Sequence, residues 1–446
     1  MTPRVTFVMP CVGRRAGQGY PRTWLMEPLA IAQLAALTPE PWRRAFYDDR
    51  LEAIPYDEPT DLAAISVETY TARRAYQIAE RFRRRGVPVV MGGFHPTLAP
   101  GDAAPHADAI VIGEAEETWP RLLDDFSRGR LAPRYESGRR PDLAGILPDR
   151  SIFAGKRYMD LALVETGRGC RHRCDFCSIS AFFNRTYSAR PVGDVAEEIG
   201  RLGRGSVFFV DDNLAVDRAR ALSLFETIEP LGIRWVGQIS VHVAADEPFL
   251  AAMRRSGCLG VLVGFESLRA GSPATAGKGL GGAPAESYEK AIARFRRHKL
   301  AVYGTFIFGY DGDTPETIRT TAAFAQRQRL FFAAMNHLVP FPGTPLFRRL
   351  RDDKRLVRND WWLGPDYRFG DLAFRPGDAS ARELADACFR ARRWFYAWPR
   401  VLGRALNLRG NCNTPALALI YFWSNLLSGR DAAGRQGMPL GVEEQP

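Results

Sequence analysis

Over the first 126 residues, short apolar runs alternate with stretches of helical period. Val5–Met9, Arg44–Tyr47, Leu62–Val67, Val87–Met91 and Ala109–Ile112 read as buried strands, too short and too uniformly apolar for amphipathic helices. Between them Ala75, Ile78, Ala79 and Phe82 recur at the spacing of one apolar helical face. Strand and helix in alternation predict a doubly wound parallel sheet, whose ligands sit beyond the carboxyl ends of the strands.

Residues 127–157 show no sustained period and are rich in Arg, Pro and Gly, so they read as a linker. Alternation resumes over 158–350. Strands are expected at Leu161–Glu165, Ser206–Val210, Arg234–Ile239, Gly260–Phe265, Val302–Phe308 and Ala333–Leu338. Six β/α units predict a partial (β/α)6 barrel with its chemistry at the carboxyl ends of the strands. Asp211, Asp212 and Asn213, then Glu266 and Ser267, then Asp311 and Asp313 stand at those ends. Residues 351–446 read as a helical, aromatic-rich region closing in a polar tail.

Composition narrows the class. A chain of 446 residues with 46% hydrophobic and 25% charged residues suits a globular protein of more than one unit. The net charge of +11 comes largely from arginines spread in short groups, which reads as a solvated basic surface and not a nucleic-acid site. The amino terminus enters an apolar strand without the features of a signal peptide, so a cytoplasmic protein is expected. Pro415–Leu427 is too short to span a membrane and has two readings, a helix packed on the core or one in peripheral contact with a lipid surface.

Seven cysteines in so long a chain are no disulfide framework. Cys11, Cys258, Cys388 and Cys412 are scattered and read as buried or incidental thiols. Cys170, Cys174 and Cys177 fall together in ETGRGCRHRCDFCSIS, directly after the first strand of the second unit. Three thiolates on one loop can hold three irons of a [4Fe-4S] cube and leave the fourth iron open. A zinc site would want a fourth ligand, and His172 inside the loop is poorly placed to supply it.

With Phe176 before the last cysteine, this CxxxCxxC motif resembles that of the radical S-adenosylmethionine (SAM) superfamily. The resemblance implies that SAM chelates the open iron and is cleaved to a 5′-deoxyadenosyl radical. It also places SVFFVDDN, GVLVGFES and YGTFIFGYDGDT against SAM, with Glu266, Asp211 and Asp212 as the catalytic or SAM-contacting carboxylates. Their other reading is as caps of the following helices. PFPGTPLF resembles the family's loop after the sixth strand and reads as structural.

The first 126 residues resemble the cobalamin-binding domain of a radical SAM subgroup that includes the anaerobic magnesium-protoporphyrin ester cyclase, hopanoid methylases and other class B methylases. WLMEPLAIAQLAAL, FYDDR, AAISVET, VVMGGFHPTLAP and ADAIVIGEAEETW carry that resemblance. It implies contacts to the corrin or its nucleotide tail from Ser66, Thr69, Gly92, Gly93, Gly113 and Glu114, with His95 either a ligand contact or a turn histidine satisfied by backbone. One departure stands out. Where other cobalamin domains carry DxHxxG, Asp48 is followed by Arg50 and Ala53, so no lower axial histidine is offered there.

The expected function is a cobalamin-dependent radical SAM methylase of an unactivated carbon in a biosynthetic intermediate. The alternatives are radical cyclisation, ring rearrangement or heteroatom exchange without methyl transfer, and a non-catalytic iron-sulfur or cobalamin binding module. The expected partners are a small-molecule substrate and a low-potential donor such as flavodoxin or ferredoxin. The aromatic residues of the carboxyl-terminal region have two readings, packing of its helices onto the barrel, or lining for a large apolar or planar substrate.

Overall fold

The computed structural model describes residues 2–203, 205–278 and 285–443. Its first sheet contains β1 (Arg4–Met9), β2 (Arg43–Asp48), β3 (Leu62–Ser66), β4 (Val89–Gly92), β5 (Ala109–Ile112) and β6 (Arg134–Glu136). The order is β2-β1-β3-β4-β5-β6, with every pairing parallel. Five of these strands lie where the apolar runs predict them, shifted by no more than two residues at an end. Val5, Phe7, Leu62 and Val90 point to one buried layer and Val8, Ala63, Ile65 and Met91 to the other, as a sheet covered on both faces requires.

The sixth strand corrects the reading of 127–157 as irregular. Arg134–Glu136 pairs with β5 at the sheet edge and buries Tyr135, and further on Leu143 and Phe153 are buried as well. A three-residue strand with charges at both ends carries no apolar run for sequence periodicity to detect.

The second sheet contains β7 (Ala162–Val164), β8 (Ser206–Phe209), β9 (Arg234–Ile239), β10 (Cys258–Glu266), β11 (Ala301–Phe308) and β12 (Phe332–His337), parallel and in sequential order. Alternation along these strands separates two faces. Trp235, Phe265 and Phe306 pack outward against the surrounding helices through Phe225, Tyr288 and Phe324. Leu262, Tyr303, Thr305, Ile307, Phe332 and Asn336 face the lumen and keep partial or full exposure, so the barrel is open inside.

The carboxyl ends of the two sheets face one another. Phe94, after β4, packs on Phe182 after the cysteine loop, with ring centroids 4.5 Å apart. Tyr70, after β3, sits on Phe341 and Trp361. The polar tail returns to the first unit, where Gly441–Val442 pairs with Gly13–Arg14 and Met438 and Leu440 are buried.

A polar knot ties the units at Asp102. Its carboxylate accepts from His95 Nε2 at 2.8 Å, from the Tyr76 hydroxyl at 2.6 Å and from Trp362 Nε1 at 3.0 Å. Burial pushes this carboxyl up, but the three hydrogen bonds more than offset it and hold it below its ordinary value of 3.8. A depressed carboxylate stabilises the fold above its unfolded pKa and loses that contribution as the pH falls through the folded one. Asp102→Asn is therefore expected to cost about 1–3 kcal/mol at neutral pH, the deficit shrinking below roughly pH 4, as followed by denaturant unfolding across pH.

Candidate active site

The cysteine loop lies at the carboxyl end of β7, with Cys170 and Cys174 buried and Cys177 half-buried. Its path is held at each cysteine. Before Cys170, the backbone N–H and hydroxyl of Thr166 donate to Asp211 at 2.9 and 2.6 Å, and the Gly169 N–H donates to Asp212 at 2.8 Å. Gly169 has φ +91°, and a side chain there would strike the Thr186 carbonyl. Around Cys174, Gly277 packs so close that a Cβ would come within 2.5 Å of the Cys174 nitrogen, while the Arg173 N–H donates to the Gly277 carbonyl at 2.9 Å. Between Cys174 and Cys177, Asp175 accepts from the Tyr310 hydroxyl and from Arg349 at 2.8 Å. Phe176 is half-buried against the core.

In place of helix caps, the other reading of Asp211 and Asp212, these contacts hold the segment leading into Cys170. Burial pushes Asp211 up to about 7, against the pull of Thr166, and Asp212 up to about 6, against the pull of Gly169.

Glu266 ends β10 in the left-handed region at φ +61°, beside a register shift between Gly264 and Glu266, and is buried at 5% exposure. A non-glycine residue is held there only where its surroundings dictate it. Here Lys278 dictates it, pairing with the Glu266 carboxylate and donating to the Gly264 carbonyl at 3.1 Å. A Cβ at Gly264 would overlap both groups of the pair. Burial alone would lower the Lys278 ammonium, and Glu266 raises it above its ordinary value, so it stays charged beside the cysteines. Burial pushes the Cys174 thiol up to about 12, against the pull of Lys278, so loading iron there displaces a proton. At the next strand end Asp313 accepts from the Gly309 and Tyr310 N–H groups, and Asp311 pairs with Arg355 at 2.7 Å.

Across from the loop stand the strand ends of the first sheet. Ser66, Gly92, Gly93 and Gly113 are half-exposed. Gly93 has φ +105°, and its missing Cβ makes room for the Val67 backbone, a reason internal to the turn. Gly113 has φ +80° and a Cβ there would stand in open space, which suits close approach by a flat ligand. Thr97 joins the two turns, accepting from the Gly113 N–H at 2.9 Å and donating to the Gly93 carbonyl at 2.8 Å.

His95 and Thr69 do not reach this opening. His95 is fully buried, Nδ1 lying 3.4 Å from the Thr69 hydroxyl and Nε2 bonded to Tyr76 and Asp102, so it is satisfied by side chains and not as a ligand contact or by backbone. Arg50 closes on its neighbour, with Nε 2.9 Å and Nη2 2.6 Å from the Asp48 carboxylate and Nη2 also on the Met26 carbonyl at 3.1 Å.

Glu114 belongs to a buried charge cluster that sequence reasoning missed. Arg168, 8% exposed and two residues before Cys170, pairs with Glu114 at 3.2 Å, with Glu165 at 2.6 Å and with Glu116. Arg140 pairs with Glu114 from the other side. Both partners were in the quoted motifs, GEAEE and ETGRGC, but nothing in either names the other.

The chain thus offers three thiols on a braced loop for an iron-sulfur cluster. Facing it are half-exposed glycine turns for a flat cofactor. Residues 164–325 match the Radical SAM superfamily and residues 32–123 match the B12 binding domain. Bacteriochlorophyllide d C-8(2)-methyltransferase of Chlorobaculum tepidum is 30% identical over 75% of this chain and 78% of its own length. The chain belongs to the cobalamin-binding radical SAM enzymes. Bacteriochlorophyllide d C-12(1)-methyltransferase of the same organism is 29% identical over 84% of both chains. The radical SAM methyltransferase TsrM from Kitasatospora setae, solved with cobalamin and a [4Fe-4S] cluster, shares the fold at TM-score 0.64 and 19% identity over 87% of this chain and 82% of that one. As a radical SAM enzyme with a B12 binding domain the protein uses a [4Fe-4S] cluster, SAM and cobalamin.

Two outcomes are expected from substitution. Replacing Cys170, Cys174 and Cys177 with Ala should abolish bound iron and the cluster's visible absorption while the thermal transition persists. Arg168→Ala, which removes the shared partner of Glu114, Glu116 and Glu165 and leaves Glu116 without an ion pair, should cost about 3–5 kcal/mol in denaturant unfolding, with Arg168→Lys recovering part of the loss.

Proposed function

We propose that this enzyme methylates an unactivated carbon of a large, planar or apolar biosynthetic intermediate. The observation that carries the reading is the juxtaposition of the braced cysteine loop with the glycine turns of the B12-type sheet over one open lumen. When bound, SAM at the cluster supplies a carbon-centred radical and cobalamin a transferable methyl group.

The chain's own residues then hold and screen the reactants. Asp211, Asp212 and Asp175 fix the loop that carries the thiolates, and the Glu266–Lys278 pair presents a polar edge beside it for SAM. Glu114 serves the cofactor side indirectly, by joining the two strand ends through Arg168 and Arg140. Tyr303 and Phe332, 5.4 Å apart, and Trp24, 5.9 Å from Phe332, form an aromatic floor at the amino-terminal end of these strands, away from the cysteine loop. The methyltransferase relatives named for bacteriochlorophyllide support a tetrapyrrole-like class.

The domain division 1–126, 127–157, 158–350 and 351–446 belongs to the same reading, the second segment acting as a packed connector. So does a flavodoxin or ferredoxin as reductant, in the cytoplasm. No helix among the described residues is long and apolar enough to cross a membrane.

The test is anaerobic turnover of the cluster- and cobalamin-loaded protein with SAM carrying a deuterated methyl group and a panel of tetrapyrroles and polycyclic lipids. Label in the product, with 5′-deoxyadenosine and S-adenosylhomocysteine formed together, is the expected result. SAM cleavage with an altered but unlabelled product would replace methylation by cyclisation or rearrangement.

A further inference from the structure

The helices Trp398–Ala405 and Pro415–Arg435 pack against each other and against the amino-terminal ends of β11 and β12, through Val401, Leu417 and Tyr421 on Ala301 and Phe331. They lie at the opposite end of these strands from the cysteine loop.

The longer helix buries a mixed face, Leu417 and Tyr421 together with Ser424 and Asn425, and leaves large apolar side chains outside. Ser424 and Asn425 are buried, at 5% and 1% exposure, whereas Leu419, Ile420 and Trp423 stand 73%, 48% and 58% exposed. The cause is Arg404, fully buried and without a carboxylate partner among the described residues. Its guanidinium donates to Asn425 Oδ1 at 2.7 Å, to Gln326 Oε1 at 2.9 Å and to the Phe395 carbonyl at 2.6 Å. Satisfying that buried charge draws Asn425 inward, and Leu419, Ile420 and Trp423 are left on the outer face. The shorter helix and its exit add Trp398, Leu402, Leu406 and Leu408, each more than half exposed.

Charge decides what covers this surface. From Ala387 to Arg430 the chain contains Arg390, Arg392, Arg393, Arg400, Arg404, Arg409 and Arg430 and not one Asp, Glu or Lys. Arg390, Arg393, Arg400, Arg409 and Arg430 are exposed, and among the described residues none pairs with a carboxylate. Arg393 and Arg430 stand with Trp398 at a shallow cavity between the helices. Exposed Leu, Ile and Trp among unpaired arginines is the composition of a surface lying in the headgroup region of an anionic bilayer. The same repulsion disfavours apposing two copies of the face.

We propose that the two helices dock the protein peripherally on an anionic lipid surface, with Leu419, Ile420, Trp423, Trp398 and Leu402 entering the interface and the arginines meeting lipid phosphates. The docking does not depend on the reaction assigned above. It is tested with the full-length, cluster-loaded protein by co-sedimentation with vesicles of phosphatidylcholine alone or mixed equally with phosphatidylglycerol, at low and high salt, alongside light scattering. Partition into the mixed vesicles only, weakened by salt, is expected. Leu419→Ser with Trp423→Ser, and separately Arg400→Gln with Arg409→Gln, should each lower it at least about tenfold while iron content and the thermal transition hold. The arginine pair keeps the test open if the apolar pair fails to fold. Absence of vesicle binding, or partition unchanged in a folded variant, overturns the proposal. A dimer that the Leu419/Trp423 variant converts to monomer, without vesicle binding, also overturns it and makes this face a subunit interface.

Discussion

The guanidinium of Arg168 holds the two halves of the site in register. It lies buried between Glu114 and Glu116 of one sheet's strand end and Glu165 of the other's, and the next residues along the chain are Gly169 and Cys170. Buried charges are costly unless paired, so a displacement of either unit that opened this cluster would leave carboxylates desolvated and unmatched. Arg140 supplies the second positive charge that three carboxylates call for. The separation between the B12-type turns and the cysteine loop is thereby held by this ion-pair cluster together with the ring contact of Phe94 on Phe182.

Below that clamp, bracing is distributed. Both oxygens of Asp211 and one of Asp212 accept from backbone and hydroxyl donors of the segment that leads into Cys170, and Gly277 packs on the loop from after β10. The Glu266–Lys278 pair forces one residue into a left-handed conformation, so the strand end is kept rigid at a cost of order 1–3 kcal/mol.

What sequence could reveal follows from the range of each interaction. The strands are legible because apolar runs are local, and the thiol triad because its spacing fits on one loop. Arg134–Glu136 is illegible because its single apolar residue leaves no period. The role of Asp211 depends on Thr166, forty-five positions away, and that of Asp212 on Gly169, forty-three away, so composition at a strand end suggests chemistry where the structure has positioning. His95 misleads for the same reason, its partners Tyr76 and Asp102 lying on other elements. The exposed apolar face of Pro415–Arg435 is invisible to a reading that assumes apolar residues face the core, because the charge that draws Asn425 inward, Arg404, sits on another helix.

The alternation of the barrel strands also bears on how such an enzyme can diverge. Val302, Phe306 and Met335 are buried against the helices, while Tyr303, Thr305, Ile307 and Asn336, one position away, keep partial or full exposure on the lumen face. Side-chain exchanges at the second set disturb the first less than exchanges within it. A lineage can therefore remodel the shape of the chamber in single steps, trading one substrate outline for another, without passing through an unstable ancestor.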